Sequence, residues 1–190
     1  MNLADFNDYA HRLGDTLVGH DWSSVAWLAD EMAKVWRNGR QVFLCGNGGS
    51  AGNAIHLAND FVYGIAKRTG GGLRAIALNA NPAVMTCLAN DIGYESIYAE
   101  QLAVQGNPGD LLIVLSGSGN SSNIIAALEQ AKKMQIKTCA ILGYQGGKAK
   151  DLADQSIHFE VSDMQIAEDT QLIVGHMVMQ YLYKNKKEEN

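Results

Sequence analysis

Between residues 41 and 161 the apolar positions gather into five short blocks: "QVFLC" (41–45), "LRAIAL" (73–78), "DLLIVL" (110–115), "KTCAIL" (137–142) and "SIHFEV" (156–161). Blocks of this length, set off by Gly, Asn and Ser, predict strands buried for the most part on both faces. Between them the apolar spacing changes to three and four residues, which predicts helices over about 50–64, 82–90, 94–105, 121–134 and 147–153. Two further helices precede the first block. In "LADFNDYAHRLGDTL", Leu3, Phe6, Tyr9, Ala10, Leu13 and Leu17 recur at helical steps. "VAWLADEMAKVWRNG" follows the capping residues of "HDWSS" and stops at Gly39. A last helix runs from near Gln165 to about Lys184 and is apolar over much of its circumference. Helices of that kind are usually buried, often against another subunit, and the N-terminal pair reads the same way.

Strand–helix alternation predicts an α/β protein with a doubly wound, mostly parallel sheet. With 190 residues and only two prolines, the chain reads as one domain, 1–190, with a full core and no Pro-rich linker. Apolar residues make up 47% and charged residues 18%, the balance of an ordinary globular protein. The net charge is −5, and the one basic cluster is the short "KNKK" (184–187). This argues against a nucleic-acid surface but leaves room for a small anion in a local pocket. Cys45, Cys87 and Cys139 are scattered and odd in number, each in an apolar context. They read as reduced, buried thiols of a cytoplasmic protein. The polar, amphipathic N-terminus does not read as a signal peptide. No stretch approaches the roughly 18 apolar residues of a membrane span.

Candidate chemistry begins in two loops. "CGNGGSAG" follows the first strand and "SGSGNSS" (116–122) the third, and each precedes a helix. Ligands of open α/β sheets bind beyond the carboxyl ends of the strands. Backbone N–H groups at a helix start can wrap an anion there, helped by the helix dipole. The hydroxyls of Ser116, Ser118, Ser121 and Ser122 add donors. This is phosphomonoester chemistry without a basic residue. No G-K-[ST] is present, which excludes a nucleoside-triphosphate P-loop. Gly46, Gly48 and Ala51 match a loose dinucleotide fingerprint. That reading needs an acidic residue about 20 positions on, and "ALNAN" (77–81) supplies none. Plain turn chemistry also accounts for glycines, although the second loop holds more serine and asparagine than a turn requires.

His56 and Asp60 lie four apart, on one face of the helix that begins at the first loop. Late in the chain come Glu168, Asp169 and His176. Glu168 and His176 are eight residues apart, about 12 Å along an ideal helix. Both could meet one metal only if it sat between them and both side chains reached. The competing readings are a hydrogen-bonded core histidine, a solvated Asp60, and acids favouring the first turn of the last helix. His20 and His158 have no partner pattern, and His11 reads as a surface residue.

Assembled, these pieces resemble a sugar isomerase (SIS) domain, in particular the phosphoheptose isomerase family. The resemblance is carried by "CGNGGSA", the His of "AIHLAND", "LANDIGYESIY", "PGDLLIVLSGSGNSSNI", "GGK" at 146–148, and the last helix with "AED" and His176. It covers nearly the whole chain. It implies a three-layer α/β/α sandwich with a five-stranded parallel sheet. It further implies a homotetramer, with residues 1–40 used in oligomerisation and the sites at subunit interfaces. The implied reaction converts sedoheptulose 7-phosphate to D-glycero-D-manno-heptose 7-phosphate through a cis-enediol, assisted by a divalent metal, usually zinc. Carried over residue by residue, the substrate-binding positions are Asn47, Gly48, Gly49, Ser50, Asp60, Asn90, Asp91, Ser116, Gly117, Ser118, Ser121 and Glu168. The metal positions are His56, Asp60, Glu168 and His176, and the proton-transfer pair is Asp60 and His176. Three positions depart from the family. Asp60 stands where the family has Glu, Glu168 where it has Gln, and Gly117 where it has a hydroxyl residue. Two histidines and two carboxylates still suit zinc or another divalent ion. The alternative within the family is a non-catalytic SIS module that binds a phosphosugar or a protein for regulation.

Overall fold

The computed structural model describes residues 3–185, so the end of the basic "KNKK" lies outside the described residues. Five strands form one sheet: β1 (Gln41–Gly46), β2 (Arg74–Ala77), β3 (Leu111–Ser116), β4 (Lys137–Leu142) and β5 (Gln155–His158). Every pairing is parallel, in the order β2-β1-β3-β4-β5. The three central strands are buried along nearly their whole length, as continuous apolar runs require. The two edges differ from the sequence reading. β2 alternates toward solvent because only β1 pairs with it. β5 spans 155–158 rather than 156–161: beyond it two backbone bonds remain to the end of β4 and the residues after it, Phe159 N–H to the Leu142 carbonyl and Tyr144 N–H to the Val161 carbonyl, before the chain heads for the last helix.

The helices are α1 (Leu3–Val18), α2 (Ser23–Arg37), α3 (Gly49–Asn59), α4 (Ile65–Thr69), α5 (Pro82–Asp91), α6 (Ile97–Gln105), α7 (Ser122–Lys133), α8 (Gly147–Leu152) and α9 (Met164–Asn185). A π-helical turn, Asp60–Gly64, joins α3 to α4, so the helix expected to end near 64 continues to Thr69. Adjacent side chains of each strand serve opposite faces of the sheet. Val42, Leu44, Leu111, Ile113 and Ile141 pack under α2, α3 and α9. Phe43, Cys45, Leu112, Val114 and Leu142 pack under α6, α7 and α8. The result is the three-layer sandwich. α1 buries none of its residues in this chain; Tyr9 donates to Asp169 at 2.6 Å and Arg12 pairs with Asp163 at 2.5 Å, tying it to the start of α9. No helix is long and apolar enough to cross a membrane, among the described residues.

Candidate active site

In this strand order the connections leave β1 and β3, which are neighbours, toward opposite faces of the sheet. A crevice therefore opens beyond their carboxyl ends. The two Gly/Ser loops meet there. The crevice, of about 280 Å³, is lined by Asn47–Ser50 from the first loop and by Ser116, Gly117, Ser118 and Ser121 from the second. Leu115, Met164 and Glu168 complete it. No lysine or arginine is among these residues. Gly48 sits at φ +56°, a conformation that side chains disfavour, and turns the chain into α3. In the second loop the Ser116 hydroxyl accepts from the Gly119 N–H at 3.0 Å, and Ser118 Oγ accepts from the Asn120 N–H at 3.3 Å. These bonds use acceptor lone pairs and leave both hydroxyl protons for a ligand.

The loops are cross-braced. Asn47 and Asn123 exchange amide hydrogen bonds of 2.9 and 2.8 Å, and Tyr94 donates to Asn47 Oδ1 at 2.9 Å. The Gln171 amide, fully buried, donates to Ser50 Oγ at 2.9 Å and accepts from Asn53 at 3.0 Å. Sequence reasoning singled out none of Asn123, Tyr94 and Gln171. Tyr94 and Asn123 fall inside "LANDIGYESIY" and "PGDLLIVLSGSGNSSNI" and Gln171 inside the last helix, but only tertiary pairing reveals what each side chain does.

α3 and α9 run side by side in the same direction. Gly49 faces Glu168, Asn53 faces Gln171, Leu57 faces Gly175, and Gly64 faces Met179. A Cβ on Gly175 would stand 2.2 Å from a Leu57 methyl, so the glycine is what lets the helices approach here. Next to this contact His56 Nε2 and His176 Nε2 are 3.1 Å apart. Asp60 Oδ2 lies 3.4 Å from the first and 3.3 Å from the second. Asp60 opens the π turn, its carbonyl accepting from the Ile65 N–H five residues on; such turns recur at functional sites.

Three ligand-type atoms thus form a triangle with edges of 3.1–3.4 Å. In a tetrahedral site with metal–ligand bonds of about 2.0–2.1 Å, neighbouring ligand atoms stand about 3.3 Å apart. The trio therefore fits one face of a zinc-type tetrahedron, with the fourth position left open. Side chains of His56 and His176 are 49% and 45% exposed, so that position is reachable from outside.

Not every expected residue joins. Glu168 stands outside the trio, two helical turns before His176. Its carboxylate lies against Gly49, where any Cβ would overlap it, and so faces the crevice. Asn90 and Asp91, at the exposed end of α5, bond to each other at 2.7 Å and are not among the crevice-lining residues. Asp169 turns away to Tyr9. Of the cysteines, Cys45 and Cys139 are buried, and burial pushes their thiols well up. Cys87 is exposed, contrary to its apolar context, because α5 buries none of its residues. His20 stacks on Phe159 with ring centroids 4.1 Å apart, and burial lowers its pKa. His158 Nε2 lies 2.9 Å from the Tyr144 carbonyl oxygen.

A sequence profile for the SIS domain matches residues 5–143. The chain is 36% identical over 176 residues to a phosphoheptose isomerase of Chlorobaculum parvum, covering 90% of this chain and 83% of that one. Among solved structures, a phosphoheptose isomerase from Francisella tularensis superposes with a TM-score of 0.89 at 26% identity, covering 97% of this chain and 100% of the other. One from Neisseria gonorrhoeae superposes at 0.85 with 25% identity, covering 95% and 97%.

Proposed function

The chain belongs to the SIS-domain family, within its phosphoheptose isomerases, and from that premise we propose that it interconverts sedoheptulose 7-phosphate and D-glycero-D-manno-heptose 7-phosphate. The observation that carries the reading is the pairing of two sites along α3 and α9. A donor-rich crevice without cationic side chains lies at the helix starts, and the His56–Asp60–His176 trio lies about two turns further on.

The phosphate is held by backbone N–H groups and by the hydroxyls of Ser116, Ser118 and Ser121, at the start of α7, whose dipole favours the negative charge. Asn47, Gly48, Gly49 and Ser50 hold the sugar, joined by Asn90 and Asp91. Glu168, an acceptor facing Gly49, binds sugar hydroxyls. In the ketose-to-aldose direction a proton leaves C1, a cis-enediol forms, and a proton arrives at C2, while the O1 hydroxyl gives up its proton and O2 gains one. Asp60 and His176 are the groups placed to move protons between the carbons. His56, Asp60 and His176 would hold a divalent ion, most simply zinc. When bound, the ion polarises the substrate oxygens. The protein acts as a cytoplasmic homotetramer of one SIS domain, residues 1–190, with α1 and α2 in subunit contacts.

The test is turnover of sedoheptulose 7-phosphate by the zinc-loaded protein, with Asp60→Ala and His176→Ala as comparisons. Each variant is expected to lose about a hundredfold or more, the scale of a general acid or base. Sugar-phosphate binding without turnover in the unaltered protein would replace this reading with the regulatory one.

A further inference from the structure

Two tyrosines four residues apart reach successive residues of the first loop. Tyr98, fully buried in α6, donates its hydroxyl to the Gly46 carbonyl. Tyr94, in the short turn before α6 and 54% exposed, donates to Asn47 Oδ1 at 2.9 Å. Asn47 Oδ1 also accepts from Asn123, and Asn47 Nδ2 donates back to Asn123. The oxygen then carries two bonds, and one N–H of a crevice-lining residue remains free. The buried tyrosine is a core anchor. The exposed one can release without opening the core.

Resting on the isomerase reading, we propose that Tyr94 is a positioning residue. Its hydroxyl latches the 92–96 turn onto the Asn47 amide, fixing that amide toward Asn123. It also draws the Asn90–Asp91 segment, which does not itself line the crevice, up to the crevice edge. The phenol touches no reacting atom; it acts through Asn47 and through the segment that precedes it.

The test compares Tyr94→Phe, Asn47→Ala and their double variant in the full-length protein. The readouts are KM and kcat for sedoheptulose 7-phosphate and amide hydrogen exchange over residues 90–97. Loss of one neutral hydrogen bond corresponds to a change of about three- to tenfold. In Tyr94→Phe that change is expected in KM, with kcat within about twofold of the parent. Exchange over 90–97 should quicken while β1 and β3 keep their protection. Because Tyr94 acts through Asn47, the double variant should be no worse than Asn47→Ala alone. Tyr98→Phe, by contrast, should lower the melting temperature. Unchanged exchange over 90–97 in Tyr94→Phe overturns the latch whatever the activity. An unchanged KM, or multiplicative losses in the double variant, overturns its role in the site. Absence of turnover in the parent protein would count against the isomerase reading instead, and the exchange arm would still decide the latch.

Discussion

Gly175→Ala tests whether the His/Asp/His trio depends on the close approach of α3 and α9. The added Cβ would lie 2.2, 2.7 and 3.0 Å from three side-chain carbons of Leu57, which is 1% exposed and has nowhere to retreat. Overpacking on this scale costs about 1–3 kcal/mol. Alanine for glycine inside a helix returns about 1 kcal/mol. The mid-range balance is a loss of about 1 kcal/mol, or about 2–4 °C in melting temperature for a chain of this length. Gly52→Ala is the matched control. It lies in α3 as well, but nothing stands within 4 Å of its would-be Cβ, so the propensity gain should appear alone and raise the melting temperature. The two substitutions therefore have opposite expected signs. A second readout is zinc titration, because moving α9 off α3 opens the neighbouring 3.1 Å His56–His176 contact. Loss of the support that orients metal ligands typically costs about 10–100-fold in affinity, and a loss on that order is expected here. A Gly175→Ala protein that is stabilised like Gly52→Ala, and binds zinc like the parent, would refute the argument.

Zinc held at 100 times its dissociation constant should stabilise the fold by about 2.7 kcal/mol, read in a thermal melt as about 5–11 °C. A chelator or His56→Ala should abolish the shift. In the native protein a thiol reagent should label Cys87 alone; Cys45 and Cys139 should react only in denaturant. The hydrogen bond to Asp91 raises the Cys87 pKa, so Asp91→Asn should speed labelling, as followed by mass spectrometry. Asp163 has its pKa lowered, first by Arg12 and then by the Ile166 N–H. The stability from a depressed carboxylate is present above its unfolded value of about 3.9 and is lost as pH falls through the lower folded value. Asp163→Asn should thus melt below the parent at pH 7, with the gap closing below about pH 4.

The sheet was legible because its three inner strands are apolar on both faces, a pattern that survives without tertiary information. Its edges were less so: β2 and β5 lack one neighbour, and their ends are set by pairing rather than by composition. The two loops could be read because glycine and serine directly after a strand have few other uses. His56 and Asp60 share a helix face, so their meeting followed from spacing. That His176 joins them depends on Gly175, whose meaning appears only once Leu57 is seen against it. Glu168 was expected among the metal ligands on family position, but two turns of α9 carry it to the crevice instead. The Asn47–Asn123 amide pair spans 76 residues and leaves no trace in local sequence.

The side-by-side course of α3 and α9 turns the site into a molecular ruler. α3 starts at the crevice and α9 passes it at Glu168, and from there each delivers its histidine seven or eight residues later, roughly 10–12 Å along the axis. A ligand anchored by its phosphate at one end must therefore have enough carbons to bring its carbonyl to the other. An extended seven-carbon sugar phosphate is of that order, whereas a triose phosphate falls short. Selection by length would then be built into helix geometry, independent of any residue that reads an individual hydroxyl.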